Sequence, residues 1–176
     1  MTAYKRRLPH FHPEDSSLFV TWRLHDTLPF PKPEILTATP GRIFVAEDRA
    51  LARAAGPSWL AQPRVAEVVK STLTSGEHLG QYVLHAWVVM PNHVHLLIDP
   101  NATLAAITQW IKGRTSNQVN RLLGRAGQPF WQHESYDHYV RNEREFLKIA
   151  AYIEHNPVAA GLVSAPENWS WSSASR

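Results

Sequence analysis

Apolar and polar positions alternate along residues 17–24 (SLFVTWRL), a stretch rich in β-branched and aromatic side chains, and this period of two predicts a first strand. Residues 29–40 hold four prolines and predict an irregular connection; 44–55 and 64–74 have helical composition, with Gly76 closing the second helix. Residues 82–90 (YVLHAWVVM) are an almost unbroken β-forming run, Pro91 and Asn92 are turn material, and 93–98 (HVHLLI) form a second run. Two strands joined so tightly must pair antiparallel. Residues 103–123 carry Leu104, Ile107, Ile111, Val119 and Leu122 at near-helical spacing, with Thr103 as N-cap and Gly124 and Gly127 at the end. A short strand is expected at 135–140 (SYDHYV). A helix follows at 143–156, with Phe146, Ile149, Ala150 and Ile153 on one face and Pro157 and Gly161 as its stop.

This order predicts an α+β domain, an antiparallel sheet of ferredoxin-like plan with helices packed on one face, plus a C-terminal helix and a short tail. Trp169 and Trp171 would be costly to leave in water, so residues 164–176 are expected to fold back on the body. With no internal repeat or boundary signal, residues 1–176 read as one domain, with residues 1–16 as a basic N-terminal arm.

Composition narrows the chemistry. At 44% hydrophobic residues, the chain has enough apolar surface for a core, which argues against extensive disorder. A formal charge of +3 and ten histidines suit a polyanionic partner. Cysteine is absent, so disulfides, thiolate metal sites and cysteine nucleophiles are excluded, and any metal must be held by nitrogen and oxygen. No apolar run is long enough for a signal peptide or a membrane span, so the expected location is the cytoplasm, with no membrane partner.

On a strand, His93 and His95 project to one side and Val94, Leu96 and Ile98 to the other. Paired imidazoles can supply two coordination positions for a divalent ion, but a bare His-x-His is a short, unspecific signal that by itself reads more readily as hydrogen-bonded strand histidines. Downstream, Tyr152 and Asn156 are i and i+4 on one helix, and Tyr152 falls at the border of the apolar stripe. That position suits a side chain oriented by packing yet open to substrate, or an aromatic that merely covers the core. Asn156 before Pro157 is also ordinary helix-stop chemistry. Tyr136 and Tyr139, three apart on a short strand, belong to opposite faces. Lys112, Arg114 and Arg121 lie off the apolar face of the 103–123 helix, where they can contact phosphates or simply be solvated. Arg6 and Arg7 in the basic lead and Arg23 near the first strand are further candidates for a nucleic-acid backbone.

Taken together, YVLHAWVVMPNHVHLLI (82–98), PFWQHESYDHYVRNEREF (129–146) and YIEHNPVAAGLV (152–163), with FVTWRL (19–24) and WSWSS (169–173), resemble the REP-associated tyrosine transposases. These are relatives of the single-tyrosine His-hydrophobic-His transposases of bacterial insertion sequences. The resemblance implies His93 and His95 as ligands of a catalytic Mg2+ or Mn2+, Tyr152 as nucleophile, and no nucleotide cofactor. Asn156 stands where the insertion-sequence relatives carry a metal-binding glutamine, so a shorter side chain reaches for the ion. It further implies single-stranded DNA hairpins as substrate, a 5′-phosphotyrosine intermediate, a nucleoid-associated role and a monomer or homodimer. Two alternatives stay open: a non-catalytic single-stranded nucleic-acid-binding protein that retains the fold, and a hydrolytic metal phosphodiesterase in which Tyr152 only positions phosphate.

Overall fold

The computed structural model describes residues 16–27, 50–51, 53–54 and 56–175. The basic arm with Arg6 and Arg7, the proline-rich connection and most of the 44–55 segment lie outside the described residues.

Among the described residues the main strands and helices follow in the order β1 (Leu18–Arg23), α1 (Pro63–His78), β2 (Tyr82–Val89), β3 (His93–Pro100), α2 (Leu104–Leu122), β4 (Tyr136–Tyr139) and α3 (Glu143–Ala159). The sheet is antiparallel with spatial order β2-β3-β1-β4. Read from the other edge this is 4-1-3-2 with a βαββαβ chain order, the ferredoxin-like plan. α1 and α2 cover one face through Val65, Val69, Leu73, Ile107, Ile111 and Val119, which meet Val20, Trp22, Leu84, Trp87, Val94 and Leu96. α3 covers the opposite face, where Ile153 packs with Phe19, Ala86, Val88 and Leu97. The sheet is therefore enclosed on both sides, and β2 and β3 read as near-continuous apolar runs because both sets of their side chains are buried. A bulge between Leu84 and Ala86 shifts the phase of β2, so Leu84 and Trp87 share a face although they are three positions apart.

Local chemistry explains where the elements begin. Pro63 sits in the first turn of α1, where its missing N–H costs nothing. The Thr103 hydroxyl accepts from the Ala106 N–H at 3.3 Å and caps α2. Three expectations need correction, two about element ends and one about the apolar row of α2. Gly76 does not close α1; it lies within it, because the Tyr82 ring packs against that turn and a Cβ there would collide with the Tyr82 hydroxyl. That hydroxyl donates to Leu73 C=O at 2.7 Å. Pro157 does not stop α3 either. The helix runs to Ala159 with the proline buried inside it and ends at Gly161, whose φ of 72° an L side chain rarely adopts. Leu122 is 44% exposed, since the buried row of α2 drifts from Ile107 through Thr115 to Val119 and the neighbouring Leu123 takes the core position.

The segment after α3 lies along β2. Val89 N–H donates to Trp171 C=O at 2.8 Å, Trp169 Nε1 donates to Val89 C=O at 3.0 Å, and Ser172 bridges to Val88. These bonds satisfy an otherwise open sheet edge.

Candidate active site

The β1–β3 register sets Thr21 opposite His95 and Arg23 opposite His93. Strand alternation then places Phe19, Thr21, Arg23, His93, His95 and Leu97 on the face that α3 covers. His93 and His95 are fully buried, with ring centroids 4.7 Å apart. Each is gripped through Nδ1: His93 at 2.7 Å from Asn92 Oδ1, His95 at 2.7 Å from Thr21 Oγ1. A histidine held through one ring nitrogen has its plane fixed and the other nitrogen aimed, the usual support of a metal-ligating imidazole.

α3 is fastened over this face at both ends. At its start the Asn142 side chain accepts from Glu145 N–H at 2.9 Å, while the Glu145 carboxylate accepts from Arg141 N–H at 2.7 Å and pairs with His138 of β4 at 3.0 Å. This is a variant of the capping box, with the reach-back falling one residue before the cap. Burial alone would raise the Glu145 carboxyl pKa, but the Arg141 N–H, then the hydrogen bond and charge of His138, outweigh it and hold the group below its ordinary value. Near the other end Ser173 Oγ donates to Glu154 Oε1 at 2.8 Å, tying the helix to the terminal segment.

So fastened, α3 delivers Tyr152 and Asn156 to the histidines within one chain. The half-buried Tyr152 ring lies 5.9 Å from the His95 ring, centroid to centroid. Asn156 Nδ2 is 3.3 Å from His95 Nε2. Phe19 forms the floor: it stacks on His95 at 5.6 Å and meets Tyr152 edge-on at 6.4 Å. Tyr136 also meets Phe19 edge-on at 6.3 Å, so a second phenol shares this face, whereas Tyr139 packs into the α1/α2 core. Phe19, Thr21 and Asn92 carry no sequence mark of function. Asn92 could have been suspected from its place before His93, but Thr21 depends on a register that strand alternation alone does not specify.

Two imidazoles, an amide and a nearby phenol can together hold a divalent cation beside a nucleophile. Among the described residues no cluster of three or more His, Asp, Glu or Cys side chains forms; the groups this face offers a cation are the imidazoles of His93 and His95 and the Asn156 amide.

The cationic candidates divide between the two faces. Arg23 belongs to the histidine face. Arg114 and Arg121 are exposed on α2, across the sheet from Tyr152, and the Arg114 guanidinium lies over the Trp110 ring at 5.7 Å. Lys112 points into a cavity of about 580 Å3 between α2 and the 128–135 segment. Its ammonium donates to the carbonyls of Gln132, His133 and Glu134 at 3.0, 3.2 and 3.2 Å and to Ser135 Oγ at 2.8 Å. With those acceptors in place Lys112 anchors the strand entry. No described helix is long and apolar enough to cross a membrane.

Residues 58–156, which contain both histidines, Tyr152 and Asn156, match the family Transposase IS200 like. A REP-associated tyrosine transposase of Escherichia coli (strain K12) is 27% identical over 96 residues, covering 54% of this chain and 56% of the relative. A putative REP-associated tyrosine transposase of Haemophilus influenzae is 25% identical over 99 residues, covering 50% of this chain and 56% of the relative. The chain thus spans about half the length of these curated relatives. The fold is similar to that of a REP-associated tyrosine transposase solved bound to a REP hairpin, with a TM-score of 0.58 at 18% identity over 98% of this chain and 82% of the other. With more than half its length matched and the two histidines, Tyr152 and Asn156 inside the matched region, the chain belongs to the family of IS200-like transposases.

Proposed function

We propose that this chain is a metal-dependent transferase of single-stranded DNA that cleaves at hairpin sites through a 5′-phosphotyrosine on Tyr152. The observation that carries this reading is the approach of Tyr152 to His95 within one chain, 5.9 Å between ring centroids, with Asn156 one turn further along the same helix at hydrogen-bond distance from that histidine. The likeness to a hairpin-bound REP-associated transposase supports the choice of substrate.

His93 and His95 would hold a Mg2+ or Mn2+ ion, with Asn156 as the third protein group. When bound, the ion would neutralise charge on the non-bridging phosphate oxygens as a Lewis acid. The donor set fits, because both imidazoles are buried, adjacent and gripped through Nδ1.

The chain's own part is nucleophilic. The Tyr152 hydroxyl oxygen attacks phosphorus, the bond to the 3′ oxygen breaks with its electron pair on that oxygen, and the phenolic proton passes by way of solvent to the departing 3′ hydroxyl. One diester is exchanged for another, so the tyrosine-linked end can be passed to a different 3′ hydroxyl by the reverse exchange without a nucleotide cofactor. Phe19 fixes where the phenol sits, and the fastenings at Glu145 and Glu154 keep α3 in place. Arg23, on the same face, would meet the strand being cut, while Arg114 and Arg121 would meet DNA on the far side of the sheet.

The test is incubation with single-stranded hairpin oligonucleotides, with and without chelator, followed by a denaturing gel. A protein–DNA species that needs divalent metal and disappears in Tyr152→Phe is expected. Binding with no such species in the wild-type protein would mark a non-catalytic DNA-binding protein, and release of free 5′ phosphate without it would mark hydrolysis.

A further inference from the structure

We propose that Asn92 is a positioning residue that holds His93 with its proton on Nδ1, so that the ring offers a lone pair at Nε2 to the cation. The cation rests on the function proposed above; the tautomer rests on geometry alone.

A backbone carbonyl oxygen can only accept a hydrogen bond. The backbone carbonyl of Leu51 receives Asn92 Nδ2 at 2.8 Å. A reversed amide would set two oxygens against each other at that separation inside a nearly closed site, where Asn92 is only 6% exposed and no solvent relieves the repulsion. The amide orientation, often ambiguous for asparagine, is thereby decided. Oδ1 must face His93 Nδ1, at 2.7 Å. An amide oxygen has no proton to give, so Nδ1 must be the donor, and a neutral ring protonated there carries its lone pair on Nε2.

The backbone around Asn92 keeps this relay in register. Asn92 C=O accepts from Leu24 N–H at 2.8 Å, Pro91 C=O accepts from Leu60 N–H at 3.1 Å, and Met90 N–H donates to His93 C=O at 2.9 Å. The turn is thus held by the residue that follows β1, by the approach to α1 and by its own strands. His95 is held differently. Its Nδ1 partner is the Thr21 hydroxyl, which can donate or accept, so that contact fixes the plane of the ring without choosing its tautomer.

The test uses the full chain, labelled with 15N, free of metal and DNA. A two-bond 15N–1H correlation spectrum, assigned to His93 through the backbone, should show a protonated Nδ1 and an unprotonated Nε2. In Asn92→Ala the proton should redistribute toward Nε2, and calorimetric Mn2+ affinity should fall about 10–100-fold, the usual effect of losing an outer-shell partner. A wild-type His93 protonated on Nε2, or on both nitrogens, overturns the assignment; so does Asn92→Ala with tautomer and affinity unchanged. If Asn92→Ala fails to fold, the wild-type spectrum alone decides. A wild-type protein with the expected tautomer that binds no Mn2+ upholds the role of Asn92 and counts against the proposed metal-dependent chemistry.

Discussion

Phe19→Leu separates the positioning of Tyr152 from the stability of the fold. Phe19 is 3% exposed and touches three functional-face rings: His95 stacked at 5.6 Å, Tyr152 edge-on at 6.4 Å and Tyr136 edge-on at 6.3 Å. Truncating a buried Phe to Ala costs about 3–5 kcal/mol, but Leu keeps much of the aliphatic contact and forfeits chiefly the ring pairings, each about 0.5–1.5 kcal/mol and not additive. A loss of about 1–3 kcal/mol follows, which in a protein of this size lowers Tm by about 2–12 °C at about 2–4 °C per kcal/mol. The effect on chemistry should be larger than stability alone would give. Without the ring, both the His95 plane and the Tyr152 phenol can shift, and a displacement of about 1 Å can cost about 100-fold in rate. The assay is single-turnover formation of the covalent DNA adduct, run well below both melting midpoints so that both proteins are fully folded. An adduct rate equal to wild type, in a variant with the expected fall in Tm, would refute the view that Phe19 sets the nucleophile.

Tyr136→Phe should retain the covalent adduct that Tyr152→Phe loses, with both variants still binding hairpin DNA in a filter or anisotropy assay; adduct loss in Tyr136→Phe alone would move the nucleophile to β4. The depressed carboxyl of Glu145 adds stability that is complete above its ordinary value of 4.5 and is lost as pH falls through its lowered native value. Hydrogen exchange at the start of α3 should accordingly accelerate in that acid range, and Glu145→Gln should flatten the dependence. Arg23→Ala should weaken single-stranded DNA binding and make the slope of log affinity against log salt shallower by about 1, whereas Lys112→Met should leave that slope unchanged. The Lys112 variant should instead loosen residues 132–135, read as faster amide exchange there.

Much of the architecture was legible in one dimension, because burial writes itself into the sequence, as a period where one side of an element is covered and as an apolar run where both are. The alternation at 17–24, the β run–turn–β run at 82–98 and the Phe146, Ile149, Ala150, Ile153 stripe all reappear as elements packed as their apolar positions require. The placement of His93 and His95 on one side of β3 was equally plain, since alternation needs no partner strand. The element ends that deviated, Gly76 inside α1 and Pro157 inside α3, did so because a neighbouring Tyr82 ring or a buried helix turn overrode a local stop signal.

The sequence by itself determined which chemical groups exist, the faces that strand and helix periods assign to them, and, through MPNHVH with YIEHNP, the family. Tertiary structure alone decided that α3 lies on the opposite side of the sheet from α1 and α2, bringing Tyr152 and Asn156 onto the histidines. It also decided that Lys112 spends its charge on backbone carbonyls and that Thr21 and Asn92 grip the imidazoles. The physical reason is that period encodes which side of an element is apolar, whereas register and layer order arise from contacts between residues far apart in the chain: 74 positions separate Thr21 from His95, and 61 separate His95 from Asn156.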